Sequence, residues 1–168
     1  MMHIRPALPT DAAAIAAIYA YHVLHGTGTF EEEPPGSAEM ERRMTAIRSR
    51  GWPWLVADDD GVLLGYAYAA QFRDRAAYRY SCENSVYVRH DTIGRGIGRA
   101  LLESLMAAAL ACRFRRMFAV IGDSANTGSI RLHQRCDFTM AGTFHDAGHK
   151  FGRDLDIVFM ERDLKERR

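Results

Sequence analysis

The sequence lacks a long hydrophobic run, a clear excess of one charge, and a cysteine pattern typical of a metal site or a disulfide framework. No apolar stretch reaches the roughly 18 residues of a membrane span, and residues 1–5 (M-M-H-I-R) lack the apolar core of a signal peptide. The formal net charge is only +1, so nothing indicates nucleic acid or an anionic membrane as a partner. The three cysteines, Cys82, Cys112 and Cys136, are an odd number without metal-ligand spacing, which predicts free thiols in a reducing cytoplasm.

Potential metal ligands are also sparse. The pairs His22/His25 and His145/His149 have suitable spacing, but no cysteine or acidic set accompanies them, and the second pair falls in a predicted loop. We therefore predict no metal cofactor. The 168 residues do contain a 48% hydrophobic fraction, which predicts one globular domain over residues 1–168 with a substantial core.

Hydrophobic periodicity and turn signals predict helices and strands in the order βααβββαβαββ. A long helix connects two neighbouring strands in the second half of this order, which implies a mixed sheet with helices packed against it. The fold class is therefore α/β, in the broad sense that includes α+β. The predicted strands are 3–6, 54–57, 62–72, 80–88, 117–121, 139–144 and 155–160, and the predicted helices are 10–24, 37–50, 96–112 and 129–135.

A glycine-rich loop is the most informative pattern in the chain. Residues 86–88 (V-Y-V) form an apolar strand, residues 94–98 (G-R-G-I-G) form the loop, and residues 99–102 (R-A-L-L) continue into an apolar helix. Bare N–H groups at a helix N-terminus form an anion site, and glycines allow a phosphate to approach the backbone closely. No Lys-Ser/Thr pair follows, which excludes a P-loop, and the spacing differs from the dinucleotide fingerprint. The alternative is an ordinary turn and helix start.

The run V-Y-V followed by G-R-G-I-G-R-A-L-L resembles the pyrophosphate loop of the GNAT family of acetyl-CoA-dependent N-acetyltransferases. Nearly the whole chain resembles the phosphinothricin and methionine sulfoximine N-acetyltransferase branch, through T-F-E-E-E-P-P at 29–35, G-Y-A-Y at 65–68, F-R-D-R-A-A-Y-R-Y at 72–80, C-E-N-S-V-Y-V at 82–88, Asn126 with S-I-R-L-H at 129–133, and G-H-K-F-G-R at 148–153. The resemblance implies the GNAT fold, with a mixed, mostly antiparallel central sheet flanked by helices and splayed parallel strands at the cofactor site. It also implies a homodimer that transfers acetyl from acetyl-CoA to the α-amine of a small amino acid.

The resemblance assigns the cofactor site to the segment from the splayed strand to the first turn of the long helix. Backbone groups of the strand would contact the pantetheine arm, and the loop amides would contact the pyrophosphate. Asn126 either bonds the pantetheine amides or caps a helix, and Arg135 either meets a CoA phosphate or lies on a solvated helix face. The predicted cofactor-binding residues are Val86, Tyr87, Val88, Gly94, Arg95, Gly96, Ile97, Gly98, Arg99, Asn126 and Arg135.

Acetyl transfer needs a base, because the acceptor ammonium must lose a proton before its nitrogen attacks the thioester. Burial of Glu83 before the apolar 86–88 run would raise its pKa toward neutral pH, and the alternative is a sheet-margin glutamate paired with Arg79. The resemblance places the family's proposed catalytic glutamate at Glu83. His133 stands where many relatives carry a tyrosine, and it either stabilises the departing thiolate or is held by helix backbone or solvent. No cysteine lies in a nucleophile setting, which indicates direct attack in a ternary complex.

Two arginines favour an amino-acid acceptor over a polycation. Arg73 and Arg75 lie at the predicted end of a strand, where side chains two positions apart share a face, and a guanidinium suits a carboxylate, sulfoximine or phosphinate. Their alternative is surface charge paired with Asp74. The aromatic candidates would line the acceptor pocket unless they are plain core, and Glu31 would meet the ammonium unless it is only solvated. The predicted substrate-binding residues are Phe30, Glu31, Arg73, Arg75, Tyr78, Tyr80, Glu83, Asn84 and Ser85.

Three positions depart from the pattern of the branch. Ile93 stands where the loop usually begins with Arg or Gln, Asp137 where a glycine usually precedes the next phenylalanine, and Asp154 where a tryptophan is usual. We expect Ile93 to remove one polar contact with the cofactor, Asp137 to adopt a positive φ, and Asp154 to alter the acceptor pocket or the dimer contact. The physiological acceptor is therefore left open. The rival functions are a GNAT enzyme for a cationic amine or protein N-terminus, and a CoA-binding module without turnover.

Overall fold

The computed structural model describes residues 1–165, which form a seven-stranded sheet with helices on both faces. The order of the elements is the predicted βααβββαβαββ, and the α/β fold class is confirmed. The strands are β1 (Met2–Pro6), β2 (Trp54–Asp59), β3 (Val62–Gln71), β4 (Ser81–Val88), β5 (Arg116–Gly122), β6 (Thr139–Lys150) and β7 (Arg153–Asp163). The helices are α1 (Ala12–His25), α2 (Ser37–Ser49), α3 (Ile97–Ala111) and α4 (Thr127–Arg135).

Each face of the sheet packs against its own helices. α3 covers one face, where Leu101 and Leu105 are fully buried in a cluster that includes Ala67 of β3. α1 and α2 cover the other face, in a cluster that includes Trp54 and Tyr66. Because successive strand residues point to opposite faces, β2 and β3 each contribute alternate residues to the two clusters.

The strand order is β1-β2-β3-β4-β5-β7-β6, and β4 and β5 are the parallel pair within the described residues. α3 makes the crossover that a parallel pair requires. The β4–β5 ladder is short, since it extends only from Ser81 opposite Arg116 to Asn84 opposite Ala119. β4 then continues with β3 as far as Val88, while β5 continues with β7. The two strands therefore separate toward their carboxyl ends, and the predicted splay is confirmed.

The last two strands are longer than predicted. β6 and β7 form a long hairpin that extends the predicted strands 139–144 and 155–160, and Phe151 and Gly152 turn the chain with positive φ angles of 55° and 72°. His145 and His149 therefore lie on β6, not in a loop. Most β6 side chains are exposed, so the hydrophobic alternation that identifies a half-buried strand is missing there. No helix among residues 1–165 is both long enough and apolar enough to cross a membrane.

Candidate active site

A cleft of about 1080 Å³ opens where β4 and β5 separate. One side, which we call the β4 wall, comes from residues 83–99 and includes the glycine loop. The opposite side, which we call the β5 wall, comes from residues 26–30 and 119–123. Residues 125–135, which include α4, line the rest of the cleft. The sheet itself thus positions both walls.

The glycine loop exposes backbone at the N-terminus of α3. Gly94 and Gly96 have φ angles of 86° and 78°, which side chains with a Cβ rarely adopt. Gly96 is the N-cap of α3, makes no side-chain cap, and lines the cleft. Because the first N–H groups of a helix have no partner within it, this end of the cleft can hold an anion.

Arginine side chains add positive charge to the same region. Arg99, Arg131 and Arg135 line the cleft, whereas Arg95 does not. Arg99 pairs with Glu103 at 2.7 Å, while Arg131 and Arg135 form no ion pair within residues 1–165. Two of the three guanidinium groups thus remain free to meet phosphate groups.

Beyond Asn84, the β4 wall faces the cleft with backbone groups that pair with no strand in residues 1–165. The N–H of Arg89 donates to the carbonyl of Leu64, which identifies the odd-numbered residues as those bonded to β3. Hydrogen-bonded pairs alternate along an antiparallel ladder, so the N–H and C=O groups of Val86 and Val88 point away from β3. The β5 ladder ends before them, at Asn84. These groups suit the amides of a pantetheine arm.

One of these carbonyls already has a partner inside the protein. His22 on α1 contacts the Val88 carbonyl oxygen through Nε2 at 2.7 Å, which assigns the proton to that nitrogen. Burial lowers the pKa of His22, which favours the neutral ring. Tyr87, a predicted cofactor contact, directs its own backbone groups at β3 and packs edge-on against Tyr19.

Asn126 takes the capping alternative that the sequence left open. Its Oδ1 accepts a hydrogen bond from the Ser129 N–H at 3.3 Å, and its Nδ2 donates to the Gly122 carbonyl at 3.5 Å. The residue caps α4 and lines the cleft at the same time. Its amide therefore links α4 to the end of β5.

Glu83 is a half-buried carboxylate at the point where the strands separate, and it lines the cleft. No group in residues 1–165 forms a hydrogen bond with it. Burial raises the pKa of Glu83, and the positive charge of Arg73 partly offsets this rise. Arg79, the alternative partner, instead donates to the Ala76 carbonyl at 2.9 Å. The raised pKa makes this carboxylate a stronger base than an exposed glutamate.

His133 is buried on α4 between two oxygen atoms. Its Nδ1 lies 2.8 Å from the Ser129 carbonyl, and its Nε2 lies 3.0 Å from Oδ1 of Asn84. Asn84 donates through Nδ2 to the Phe118 carbonyl, which fixes Oδ1 as the acceptor facing His133. Two acceptors favour a ring with both protons, whereas burial lowers the pKa of His133 and favours the neutral form. Protein groups therefore hold the side chain. When the ring is neutral, one of its nitrogens carries no proton and faces an oxygen atom that cannot donate one.

The two catalytic candidates lie on opposite sides of the gap between the strands. Glu83 and Asn84 are neighbours on β4, so their side chains point to opposite faces of the sheet. His133 contacts Asn84, which places the imidazole on the α4 side. A thioester between the strands would thus have a carboxylate on one side and an imidazole on the other.

The structure brings some predicted substrate-binding residues to the cleft and leaves others outside it. Glu31 is outside because its carboxylate is held by Arg43 at 2.6 Å and by the Tyr19 hydroxyl at 2.8 Å. The Arg43 contact also lowers the pKa of Glu31. The lining residues are Phe30, Glu83, Asn84 and Ser85, and the others are Glu31, Arg73, Arg75, Tyr78 and Tyr80.

The expectation that Arg73 and Arg75 share one face of a strand is wrong, because β3 ends at Gln71. Both arginines lie in the following loop, where the Gln71 amide donates to their carbonyls at 2.7 and 3.0 Å. The Arg73 guanidinium lies 4.2 Å from the centre of the Phe72 ring. It is nevertheless close enough to lower the pKa of Glu83. Arg73 thus retains an electrostatic link to the cleft that Arg75 lacks.

The two tyrosine candidates lie on the surface around the start of β4. Tyr78 is 39% exposed and packs edge-on against Phe72. Tyr80 precedes β4 and lies in a separate hollow, with the guanidinium groups of Arg79 and Arg115 at 4.8 and 4.2 Å from its ring centre. Neither ring reaches the cleft as the pattern F-R-D-R-A-A-Y-R-Y had suggested.

The three unusual positions have distinct surroundings. Ile93 lines the edge of the cleft and is 69% exposed, so it offers no polar group there. Asp137 has a φ of 61°, which confirms the expected positive value. Asp154 contacts His149 across the β6–β7 hairpin, with Oδ1 and Nδ1 2.8 Å apart, and both side chains are exposed.

The family model for the acetyltransferase (GNAT) domain matches residues 4–159. The chain belongs to the GNAT family. It is therefore an acetyltransferase, and the resemblance found in the glycine loop is confirmed.

Individual GNAT proteins resemble the chain over most of its length. It is 49% identical over 154 residues to phosphinothricin N-acetyltransferase of Alcaligenes faecalis, across 92% of this chain and 78% of that protein. It is 38% identical over 168 residues to the L-methionine sulfoximine/L-methionine sulfone acetyltransferase of Salmonella typhimurium, across 98% and 96% of the two chains. A crystal structure of a GNAT phosphinothricin acetyltransferase from Sinorhizobium meliloti in complex with acetyl-CoA is 43% identical, with a TM-score of 0.93 over 97% of this chain and 88% of that one.

Several cleft residues of this GNAT domain escaped the sequence analysis. In the sequence, His22 fits only a pair with metal-ligand spacing, and Arg131 fits only a family motif. The motif G-H-K-F-G-R could have indicated one residue that supports the cleft. Its Lys150 is buried and donates hydrogen bonds to the segment between α1 and α2. Nothing local to Gly122 indicated that it would lie against Phe30.

Proposed function

We propose that this GNAT enzyme transfers the acetyl group of acetyl-CoA to the α-amino group of a small amino acid or analogue, with methionine sulfoximine, methionine sulfone and phosphinothricin-like compounds as the leading acceptors. The observation that carries the proposal is Glu83, a half-buried carboxylate without a hydrogen-bond partner in residues 1–165, next to backbone groups of Val86 and Val88 that point away from β3. The names of the two relatives described above support the acceptor class.

The cleft has groups suited to each part of acetyl-CoA, which supplies an acetyl group activated as a thioester. The open backbone edge at Val86 and Val88 fits the pantetheine amides. The N-terminus of α3 fits the pyrophosphate, and Arg131 and Arg135 fit the remaining phosphate charge.

Glu83 accepts the proton of the acceptor ammonium, directly or through one water, and the free amine attacks in a ternary complex. A covalent acetyl-enzyme is not required, because no cysteine lines the cleft in the part of the chain that the structure describes. His133 can donate to the departing thiolate from the α4 side only by releasing the Ser129 carbonyl or Oδ1 of Asn84, because each ring nitrogen is already held by one of these oxygen atoms. Burial lowers the pKa of His133, so a protonated ring gives up its proton readily.

We further propose a cytoplasmic homodimer that uses no metal. The outer edge of β6 has no partner strand within residues 1–165, and its residues Met140 and Phe144 are 52% and 62% exposed. An exposed apolar edge strand is a natural site for pairing between two copies. Sedimentation velocity tests this point, with a monomer at micromolar concentration contradicting it.

The acceptor proposal is tested with purified protein, acetyl-CoA and a panel of acceptors, by following the thiol of released CoA. We expect kcat/KM for methionine sulfone, methionine sulfoximine and phosphinothricin to exceed that for spermidine, an aminoglycoside and a peptide N-terminus. A preference for spermidine or the aminoglycoside would favour the cationic-acceptor rival. Acetyl-CoA binding in calorimetry without thiol release for any acceptor would favour a binding module.

A further inference from the structure

Lys150 is a fully buried cation that acetyl transfer does not use. It is the last residue of β6, is 1% exposed, and is one of only two lysines in the sequence, which leaves the other as a control. Its Nζ donates to the carbonyl oxygens of Gly26 at 2.8 Å and Thr29 at 2.9 Å. Burial lowers the pKa of Lys150 and makes an ammonium unfavourable unless it is well hydrogen-bonded. The two bonds fix a segment that has no regular secondary structure of its own.

Phe30, at the end of this segment, lies directly on the backbone of two glycines. A Cβ on Gly148 of β6 would lie 2.3 Å from Cε2 of Phe30, and a Cβ on Gly122 of β5 would lie 2.9 Å from its Cε1. The ring therefore occupies space that exists only because both positions lack a side chain. Phe30 also lines the cleft, so its position sets the extent of the β5 wall.

Two further contacts tie the same segment to the rest of the domain. The Thr27 hydroxyl donates to Oδ2 of Asp123 at 3.1 Å, and Arg153 donates to the same oxygen at 3.0 Å. The hydroxyls of Tyr19 and Thr29 are 2.7 Å apart. The segment is thus attached to α1, to β6 and to Asp123 just after β5, which Arg153 of β7 also holds, and it is poorly placed to move aside for a larger ligand.

We propose that residues 26–30 form a fixed wall that limits the size of the acceptor side chain, and that Lys150 is the positioning residue that holds this wall. The proposal rests on the acetyl-transfer function proposed above. Lys150 does not itself line the cleft, and its cation lies between two carbonyls and the Phe151 ring, 4.9 Å from the ring centre. Its effect on catalysis must therefore pass through the segment and Phe30.

The first test is Lys150→Met, which keeps the length and apolar stem of the side chain but removes the donors. We expect KM for methionine sulfone to rise about tenfold with acetyl-CoA affinity unchanged in calorimetry, because only the acceptor side loses its geometry. The longer acceptor ethionine sulfone should gain relative to methionine sulfone in kcat/KM. Lys165→Met, at an exposed position, is the matched control and should leave all of these values unchanged.

Gly148→Ala tests the wall from the other side and does not disturb Lys150. Its Cβ would displace the Phe30 ring, so KM for methionine sulfone should rise again with acetyl-CoA affinity unchanged. Gly142→Ala is the control on the same strand, because no atom of residues 1–165 lies within 4 Å of the added Cβ. In a Phe30→Leu background, Lys150→Met should raise KM much less than in the wild type, since both changes act through one ring.

Hydrogen exchange separates this proposal from the proposed function, because it needs no turnover. Lys150→Met should speed amide exchange in residues 26–31 while exchange in the glycine loop stays the same. If the wild type acetylates no amino-acid analogue but exchange changes in this way, the proposed function is wrong, whereas the role of Lys150 in holding residues 26–30 is supported. Unchanged exchange in residues 26–31, or acceptor KM values that match the wild type in both Lys150→Met and Gly148→Ala, would overturn the wall.

Discussion

The two walls of the cleft are built in opposite ways. The β4 wall is one continuous stretch of chain, residues 83–99, in which a strand leads through the glycine loop into α3. The β5 wall combines residues 26–30 with the end of β5, and it is fixed by Lys150 and Gly148 of β6. The first wall presents backbone groups, which suit a cosubstrate common to a whole family. The second presents side chains from separate elements, so its shape can change without a change in the β4 wall.

Glu83 lies where the walls meet, and its replacement should have the largest effect. Glu83→Gln keeps the shape of the side chain and removes the base, so kcat should fall by roughly 10²-fold or more with acetyl-CoA affinity unchanged. Stopped assays of CoA release and calorimetry measure the two quantities. Glu41→Gln on the exposed surface of α2 is the control. A wild-type kcat in Glu83→Gln would remove Glu83 from the mechanism.

The pH dependence of kcat/KM tests the same role of Glu83. Burial raises the pKa of Glu83, so kcat/KM should fall as the pH falls through that raised value, and this acid limb should disappear in Glu83→Gln. A carboxyl whose pKa is raised by folding binds its proton more tightly in the folded state. Its ionised form therefore destabilises the fold at neutral pH, and Glu83→Gln should unfold at a slightly higher temperature than the wild type.

Gly98→Val should damage the β4 wall alone. A Cβ at Gly98 would already lie 3.4 Å from Leu132 and 3.5 Å from Val88, so the branched side chain of valine must project into the cofactor space. We expect acetyl-CoA affinity to fall at least about tenfold, or about 1.4 kcal/mol, in calorimetry. At saturating acetyl-CoA, the acceptor KM should stay close to that of the wild type. Gly36→Val is the control, because a Cβ there has no neighbour within 4 Å in the part of the chain that the structure describes.

An unchanged acetyl-CoA affinity in Gly98→Val would mean that the cosubstrate does not use this end of the cleft. A joint loss of acetyl-CoA affinity and acceptor affinity would show that the two walls are mechanically coupled. Either result would contradict the division of the cleft into a β4 wall that binds the cosubstrate and a β5 wall that limits the acceptor.

Arg73 and Arg75 provide a smaller and more selective test. The Arg73 charge holds the pKa of Glu83 down, so Arg73→Ala should move the acid limb of kcat/KM to higher pH. It should also raise the acceptor KM by up to about tenfold, the scale of one lost charge-assisted hydrogen bond, if its guanidinium meets the acceptor carboxylate. Arg75→Ala is the matched control, because Arg75 has no comparable effect on Glu83. Equal profiles for both variants would assign both arginines to the surface.

The sequence predicts those parts of the site that are formed by residues close together in the chain. An apolar strand, a glycine loop and an apolar helix follow one another directly, so the β4 wall and the position of Glu83 on it could be predicted. The contacts of the β5 wall join distant positions, since Lys150 and Gly26 are 124 residues apart, and His22 and Val88 are 66 apart. Periodicity contains no information on such pairs. The prediction for Arg73 and Arg75 was wrong because it depended on where one strand ends. β3 ends at Gln71, so the alternation of strand side chains does not apply to the residues that follow.

Asp137 lies outside both walls, and its replacement should have the smallest effect and should alter stability alone. It ends α4 in a Schellman motif, in which the Phe138 N–H bonds the His133 carbonyl and the Asp137 N–H bonds the Gln134 carbonyl. The motif requires the φ of 61° that Asp137 adopts, a conformation that is unfavourable for a residue with a Cβ. Asp137→Gly removes that strain, although the greater freedom of glycine in the unfolded chain offsets part of the gain.

The net change in Asp137→Gly should be an increase in unfolding free energy of about 1 kcal/mol or less, seen as a rise in Tm of up to about 2–4 °C. Among residues 1–165, the ion pair at risk is with Arg162 at 3.4 Å, where the Asp137 side chain is 88% exposed, and such a pair contributes little. Asp137→Asn isolates that contact, because asparagine tolerates the same φ without the charge, and its Tm should match the wild type. A lower Tm in Asp137→Gly together with an unchanged Tm in Asp137→Asn would mean that backbone strain at this turn is too small to outweigh the entropy of glycine. Kinetic constants for both substrates should not change in either variant, since the turn contacts neither wall and leaves the hydrogen bonds of His133 in place.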